Sequence, residues 1–548
     1  GGKGRGLAFL DNIIKRHPDF NQFAGVSVQI PKTVVLCTDV FDRFMEQNNL
    51  YQIALSDASD EEILQHFLQA QLPDEFIADF YAFFEAIQSP IAIRSSSLLE
   101  DAHYQPFAGI YSTYMIPYVD NEDQMLRLLL KAVKSVYASV YFASSRAYLS
   151  SSQNLISEEK MAVIIQEVCG TEQNGLFFPT FSGVARSINY YPIGDEQADE
   201  GIASLALGLG KYIVDGGQTL RVSPYHPHQV LQTSEMETAL RETQTQFYAL
   251  DMQHVGEDFK VDDGFNILKL RVKDAEADHA LNFIASTYDP YDQVIRDGLY
   301  DGGRKIISFA GVLQQDVFPL PQLLQMTMRY GAAEMRRPIE VEFACNLNAD
   351  RTGSFFLLQI RPIVDSKQML DEDICAISDD RCLLRSHNSL GHGASEEVTD
   401  VVYVKTDDQF TAINNPAIAC EIERINRRFL DEGRGYVLIG PGRWGSSDPW
   451  LGVPVKWPHI SAAQVIVEVE LKNYRVDPSQ GTHFFQNLTS FGVGYFTIDT
   501  NTDNGIYRKE VLDAMPAVEE TQFVRHVRFD KPLKILMDGK KQEGVVLI

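Results

Sequence analysis

Apolar residues recur at helical spacing most clearly over residues 123–149, where Met125, Leu129, Val133, Val136 and Val140 fall on one face. That stretch predicts a long amphipathic helix. A second fits 319–335, entered through Pro319 and Pro321, and a third lies near 415–430, with Ile418, Ile422, Ile425 and Phe429 on its apolar side. Between them come short runs of β type at 161–168, 184–191, 339–345, 355–361 and Tyr436–Ile439. No repeat of fixed period and no low-complexity tract interrupts this mixture. Residues 366–400 lose the periodicity and gain Asp, Ser, Gly and His, which predicts a linker. The pattern therefore predicts an α+β chain: a first region over 1–365, a linker over 366–400, and a smaller, β-rich α/β domain of unassigned role over 401–548.

Length and composition narrow the function classes. At about 100–200 residues per domain, 548 residues hold roughly three or four domains or subdomains. Hydrophobic residues make up 45% and charged residues 22%, which excludes a disordered or fibrous chain. The formal net charge of −27 repels a phosphate backbone, so no nucleic-acid partner is expected, although a small anion can still bind where the few basic residues converge. No apolar run reaches the length of a membrane span. Six scattered cysteines without a CxxC pair predict reduced thiols and a cytoplasmic protein. Because residue 1 is Gly, the chain is expected to begin inside a longer protein.

Four stretches carry candidate chemistry. In Ile339-Glu-Val-Glu-Phe343, period-2 alternation sends Glu340 and Glu342 to one face, and the returning strand Phe355–Arg361 places Gln359 and Arg361 on a shared face. Carboxylate and carboxamide oxygens suit Mg²⁺, and Arg361 suits phosphate; a half-exposed hairpin with cross-strand ion pairs fits the same residues. Ile91-Ala-Ile-Arg94-Ser-Ser-Ser97 ends in one guanidinium and three hydroxyls that can cradle a phosphate, and Ser97-Leu-Leu-Glu100 also reads as a capping box opening a helix. Gly1-Gly-Lys3-Gly combines permissive backbone with a point charge, yet lacks Walker A spacing and on its own reads as a disordered end. Gly440-Pro-Gly442-Arg-Trp-Gly445 matches GxGxxG by letter, but Pro449 and Pro454 exclude the helix that a dinucleotide site requires. All three tryptophans, 444, 450 and 457, fall in that stretch beside Arg443 and Lys456, so it is either a recognition loop or a packed satellite core. His387, His392 and His483 show no ligand spacing and read as loop or core histidines.

Taken in order, these pieces resemble the nucleotide-binding domain of the phosphoenolpyruvate synthase and pyruvate phosphate dikinase family. Gly1-Gly-Lys3 with Leu7 and Leu10 is similar to the family's GGKxxxLxxL opening. Ile91–Ser96 through Glu100-Asp101 to Phe107-Ala-Gly109 is similar to its VAVRSSAxxED…FAG segment, Gln166 to its VQ-type hinge, and Ser182-Gly-Val-Ala185 to its SGVAF turn. Gly208-Leu-Gly210 resembles the GLGE run, and Glu340-Val-Glu342 with Leu358-Gln-Ile-Arg-Pro362 the (D/E)IE…LQxRP ending.

The resemblance covers residues 1–365 and implies an ATP-grasp-like fold in two subdomains. It implies Lys3, Arg94 and Arg361 as phosphate contacts, with Arg94 and Arg361 catalytic. It further implies Gln166 and Glu340 in the cofactor site, and Glu342 and Gln359 on the metal side. ATP and Mg²⁺ are the implied cofactors. Two positions depart from the family: Lys211 replaces the Glu of GLGE, and Arg186 replaces the aromatic after SGVA, both adding positive charge. Neither the TSHAAI-like phosphohistidine motif nor the pyruvate-binding barrel occurs in this chain. The expected activity is thus a Mg-dependent phosphotransferase half-reaction whose acceptor is unidentified, a histidine carrier domain outside this chain being one candidate. The rival expectation is a non-catalytic nucleotide-binding regulatory module whose C-terminal domain docks a partner.

Overall fold

The computed structural model describes residues 2–97, 111–151, 159–189, 195–234, 236–275, 279–363, 373–391, 393–406, 410–446, 448–471, 493–499, 505–538 and 541–548. Helices and strands are mixed through the chain in several sheets, an α+β architecture. It divides into two compact units: over the described residues the first runs through Ile363 except for Val214–Gly217, which group with the second, and the rest of the second follows Ile363. No helix among the described residues is long and apolar enough to cross a membrane.

In the first unit a six-stranded sheet runs in the order Val26–Gln29, Gly353–Pro362, Ile339–Leu347, Phe181–Arg186, Ile202–Ala206 and Leu220–Val222. The first pair is parallel and the others antiparallel. A separate antiparallel sheet takes the order Thr33–Leu36, Met161–Glu167, Ile91–Ser97 and Thr113–Ile116. Each sheet has its own apolar core, one built around Phe181, Phe343 and Phe355, the other around Phe44, Val133 and Tyr137.

Three expectations for this unit change. The helix expected over 123–149 is two helices, Glu122–Ser139 and Ala143–Ser151. Val140, Tyr141 and Phe142, all buried, lie between the two helices. The strand expected at 184–191 is Phe181–Arg186, and Gly183 lies inside it rather than in a turn. A Cβ at Gly183 would fall 2.1 Å from the Phe343 ring, so glycine is required there by packing. From Gly2 onward the N-terminal stretch is not a disordered end: Gly2–Arg16 is a helix that buries Leu7, Leu10 and Ile13. Gly6 lets it lie against the neighbouring strand, where a Cβ would sit 2.9 Å from the Ile360 carbonyl.

The second unit is built on a ten-stranded sheet whose parallel part is Gly393–Val404, Tyr436–Pro441, Ala463–Glu470 and Gly494–Asp499. Helix Asn415–Asp431 connects the first two of these strands. The stretch 366–400 is therefore not a linker over its described part: Cys382–Ser386, Asn388–Leu390 and the start of Gly393–Val404 are strands of this sheet. Its polar composition comes in part from Glu396 and Glu397, which face solvent, while Val398 beside them is buried. Within the long strand, Asp400 is buried and accepts hydrogen bonds from His526 Nε2 (2.6 Å), Arg434 Nη1 (2.6 Å) and Arg528 Nε (2.8 Å). His387 pairs with Glu543 at 2.7 Å; His392 and His483 lie outside the described residues.

The tryptophan stretch separates into both of its alternatives. Trp444 is packed, its indole N–H donating to the Val467 carbonyl at 3.1 Å, and Trp457 is buried, whereas Trp450 is 65% exposed. No helix follows Gly445 among the described residues up to Trp450, and Gly442 and Gly445 hold positive φ angles of 65° and 77°. Tryptophan emission is therefore expected to contain one iodide-quenchable component, which Trp450→Phe removes while the blue-shifted remainder stays. Equal quenching before and after that substitution would contradict this placement.

Candidate functional site

The hairpin Ile339–Leu347/Gly353–Pro362 sets Glu340 opposite Arg361 and Glu342 opposite Gln359. Between Glu342 and Phe343 the register slips by one residue, so Leu358 has no partner across the hairpin and Phe343 faces Leu357. The Leu358 carbonyl accepts from Arg94 Nη1 at 3.3 Å, which binds the antiparallel four-stranded sheet to the six-stranded one.

Arg94 is the hub of a first network. Its Nη1 also donates to Gln166 Oε1 (3.2 Å), its Nη2 donates to Gln359 Oε1 (2.7 Å), and Nη2 lies 3.6 Å from Glu342 Oε2. Gln166, on the adjacent strand, is oriented by donating through Nε2 to Thr33 Oγ1 at 3.1 Å. Arg94 and Glu342 are half-buried, with side chains 13% and 16% exposed, so both reach solvent from a restricted setting.

Lys3 reaches the same strand from the first turn of helix Gly2–Arg16. Its Nζ donates to Ser95 Oγ at 3.2 Å, and the Gly4 amide donates to Ser96 Oγ at 3.1 Å. Two of the three expected phosphate hydroxyls thus seat the lysine and satisfy a first-turn amide. Leu98–Glu100 of the expected capping box, the Glu100-Asp101 pair and Phe107–Gly109 lie outside the described residues.

Glu340 and Arg361 form a second network with Arg186, which the sequence marks only as a departure from the family pattern. Glu340 Oε2 accepts from both Nε and Nη2 of Arg186 at 2.6 Å, and Oε1 accepts from Arg361 Nη2. All three side chains are buried. Burial pushes the Glu340 carboxyl up, but Arg361 and then Arg186 outweigh it and hold the group below the ordinary carboxylate range. Lys211 lies 3.5 Å from Asp263 Oδ1, whose other oxygen accepts the Thr113 amide beside Arg94. Ser182 Oγ donates to the Gly208 carbonyl at 2.7 Å, anchoring the Gly208-Leu-Gly210 turn.

Among the described residues no group of three or more His, Cys, Asp and Glu side chains is arranged to hold a metal. Glu342 and Gln359, opposite each other, offer one carboxylate and one amide oxygen, a hard donor pair of the kind Mg²⁺ takes when its other ligands are phosphates and water. The Arg186 contact was missed because a cross-strand partner on a non-sequential strand is visible only once the strands are paired.

Glu340→Gln should leave two buried guanidiniums without their counter-charge and destabilise the first unit by about 3–5 kcal/mol at pH 7. Glu340's pKa is depressed on folding, so its contribution is present above its unfolded value, about 4.3, and is lost as pH falls through the folded value. The gap between wild type and variant in denaturant unfolding should therefore narrow below about pH 4. A gap unchanged between pH 7 and pH 3 would show that the charge of Glu340 is not what stabilises the cluster.

Comparison with known proteins agrees with the motif order. The family model for the pyruvate phosphate dikinase AMP/ATP-binding domain matches residues 1–381, covering the expected 1–365 region and reaching slightly beyond it. An uncharacterized phosphotransferase, YvkC, of Bacillus subtilis is 29% identical over 190 residues, which are 35% of this chain and 20% of that protein. The phosphoenolpyruvate synthase of Aeropyrum pernix is 29% identical over 129 residues, 24% of this chain and 14% of that enzyme. The match thus spans a fifth or less of each relative's length. With the matched region covering well over half of the chain, from the Lys3 helix through the Glu342–Gln359 hairpin, this protein belongs to the pyruvate phosphate dikinase AMP/ATP-binding domain family.

Proposed function

We propose that the first unit is an ATP-grasp-like nucleotide domain that binds Mg-ATP and carries out the nucleotide half of a phosphotransfer, passing the phosphoryl group to an acceptor outside this chain. The observation that carries this reading is the network joining Arg94, Gln166, Glu342 and Gln359 across two sheets. It concentrates a guanidinium and two hard oxygen donors at one half-buried point, which suits a polyphosphate with its cation. Family membership and the names of two relatives, one a phosphotransferase and the other a phosphoenolpyruvate synthase, support the same reading. Six free cysteines support a cytoplasmic setting.

Phosphoryl transfer asks the protein for positioning and charge stabilisation rather than covalent chemistry. Arg94 binds phosphate oxygens in a fixed direction because Gln166 and the Leu358 carbonyl hold its guanidinium. Lys3 adds a point charge at a helix N-terminus, where backbone amides also favour anions. Arg361, held by Glu340, contributes positive potential. Glu342 and Gln359 would hold Mg²⁺, whose contribution when bound is to neutralise phosphate charge.

Incubation with Mg-ATP, followed by separation of AMP from ADP, tests the reaction and shows which bond breaks. Binding without either product would indicate a regulatory module instead. Arg94→Ala is expected to weaken ATP by about 2–4 kcal/mol, roughly 30- to 1000-fold, in calorimetry. Glu342→Gln should weaken ATP binding in the presence of Mg²⁺ and leave metal-free binding largely intact. Equal loss in both conditions would make Glu342 structural, and unchanged affinity in Arg94→Ala would sink the site.

A further inference from the structure

The four-stranded and six-stranded sheets are joined twice, by basic side chains that cross in opposite directions. Arg94 leaves the four-stranded sheet and donates to the Leu358 carbonyl and to Gln359 Oε1 of the six-stranded one. Lys211 crosses the other way. It follows the turn that continues strand Ile202–Ala206, which Ser182 Oγ anchors through the Gly208 carbonyl, and its Nζ lies 3.5 Å from Asp263 Oδ1. Asp263 Oδ2 accepts the Thr113 amide at 2.8 Å, and Thr113 stands opposite Arg94 on the four-stranded sheet.

The two members of this pair are held unequally. Asp263 lies in a loop over 252–266 that is fixed to the four-stranded sheet. Tyr114 Oη donates to the Lys260 carbonyl at 2.8 Å, Asn266 Nδ2 donates to the Met115 carbonyl at 3.2 Å, and Phe259 and Phe265 pack around the Tyr114 ring. Lys211 carries its charge on a flexible four-carbon stem, so an exchange of partners moves the lysine and leaves the loop in place. The pair is also loose. Its 3.5 Å separation is longer than a charge-assisted hydrogen bond, and the two side chains are 27% and 24% exposed. An ion pair this open contributes little and gives way to a ligand of higher charge.

We propose that Lys211 is a polyphosphate-binding residue for which Asp263 serves as an internal counter-ion, given up when the ligand's phosphates arrive, and that this exchange favours nucleoside triphosphate over monophosphate. It presupposes the Mg-ATP reading above. A triphosphate brings several charged groups to the two cations, whereas AMP brings one and does not compensate for the lost ion pair. Lys211, a departure from the family pattern, is then a gained phosphate contact.

Calorimetry on the full chain with Mg²⁺, using a non-hydrolysable ATP analogue and AMP as probes, tests this. Lys211→Met should weaken the analogue about tenfold or more and AMP less than about twofold. Asp263→Asn keeps an acceptor for the Thr113 amide but removes the competing charge, and should tighten the analogue about two- to fivefold. That gain should vanish when Lys211→Met is already present. Equal losses for the analogue and AMP in Lys211→Met, or no loss, would overturn the inference. So would weaker analogue binding in Asp263→Asn while its thermal melt stays cooperative, the result expected of a purely structural pair. Failure of the wild type to bind either probe would overturn the nucleotide reading and this inference with it, whereas the preceding outcomes leave that reading intact.

Discussion

A buried carboxylate between two guanidiniums fastens three neighbouring strands of the six-stranded sheet. Arg361, Glu340 and Arg186 stand side by side on Gly353–Pro362, Ile339–Leu347 and Phe181–Arg186. Buried charges are costly unless every partner is in place, and replacing such a group by apolar residues is often no worse for stability. Its effect here is register. Sliding any one strand by a residue would part at least one of these buried charges from its partner. With the register fixed, Glu342 is set against Gln359, and the oxygen of Gln359 is set against Arg94.

Much of this was legible in the sequence, for identifiable reasons. Alternation alone assigns Glu340 and Glu342 to one face, because a strand's side-chain period is 2 whatever its neighbours are. Helix Asn415–Asp431 follows from its apolar spacing and helix Leu320–Met335 from the prolines at its start. The order of short motifs led to the family, which the family model supports over residues 1–381. What escaped was whatever depends on a distant strand. Gly183 looks like a turn residue, but Phe343 supplies the ring that fills its missing side chain. Ser95 and Ser96 look like phosphate hydroxyls, but helix Gly2–Arg16 claims them.

The second unit repeats the lesson with different residues. A polar stretch was expected to be a linker, although it holds Asp400, which three basic side chains surround in the interior of a long strand. Composition averages such a segment into a loop, because it counts the exposed glutamates and cannot see the cations that neutralise the buried aspartate. Paired charges in a sheet are thus the systematic blind spot of pattern reading in this chain.

The register slip beside Glu342 divides the hairpin into two halves that obey separate alignments. Positions 339–342 with 359–362 keep one alignment, and 343–347 with 353–357 keep another, with Leu358 as the spacer that absorbs the difference. Changes of loop length or sequence at the distal tip therefore need not propagate into the half that carries Glu340, Glu342, Gln359 and Arg361. In design terms the hairpin is a graftable cassette: its tip can be exchanged between relatives, while the spacer residue, whose carbonyl holds Arg94, has to travel with the site.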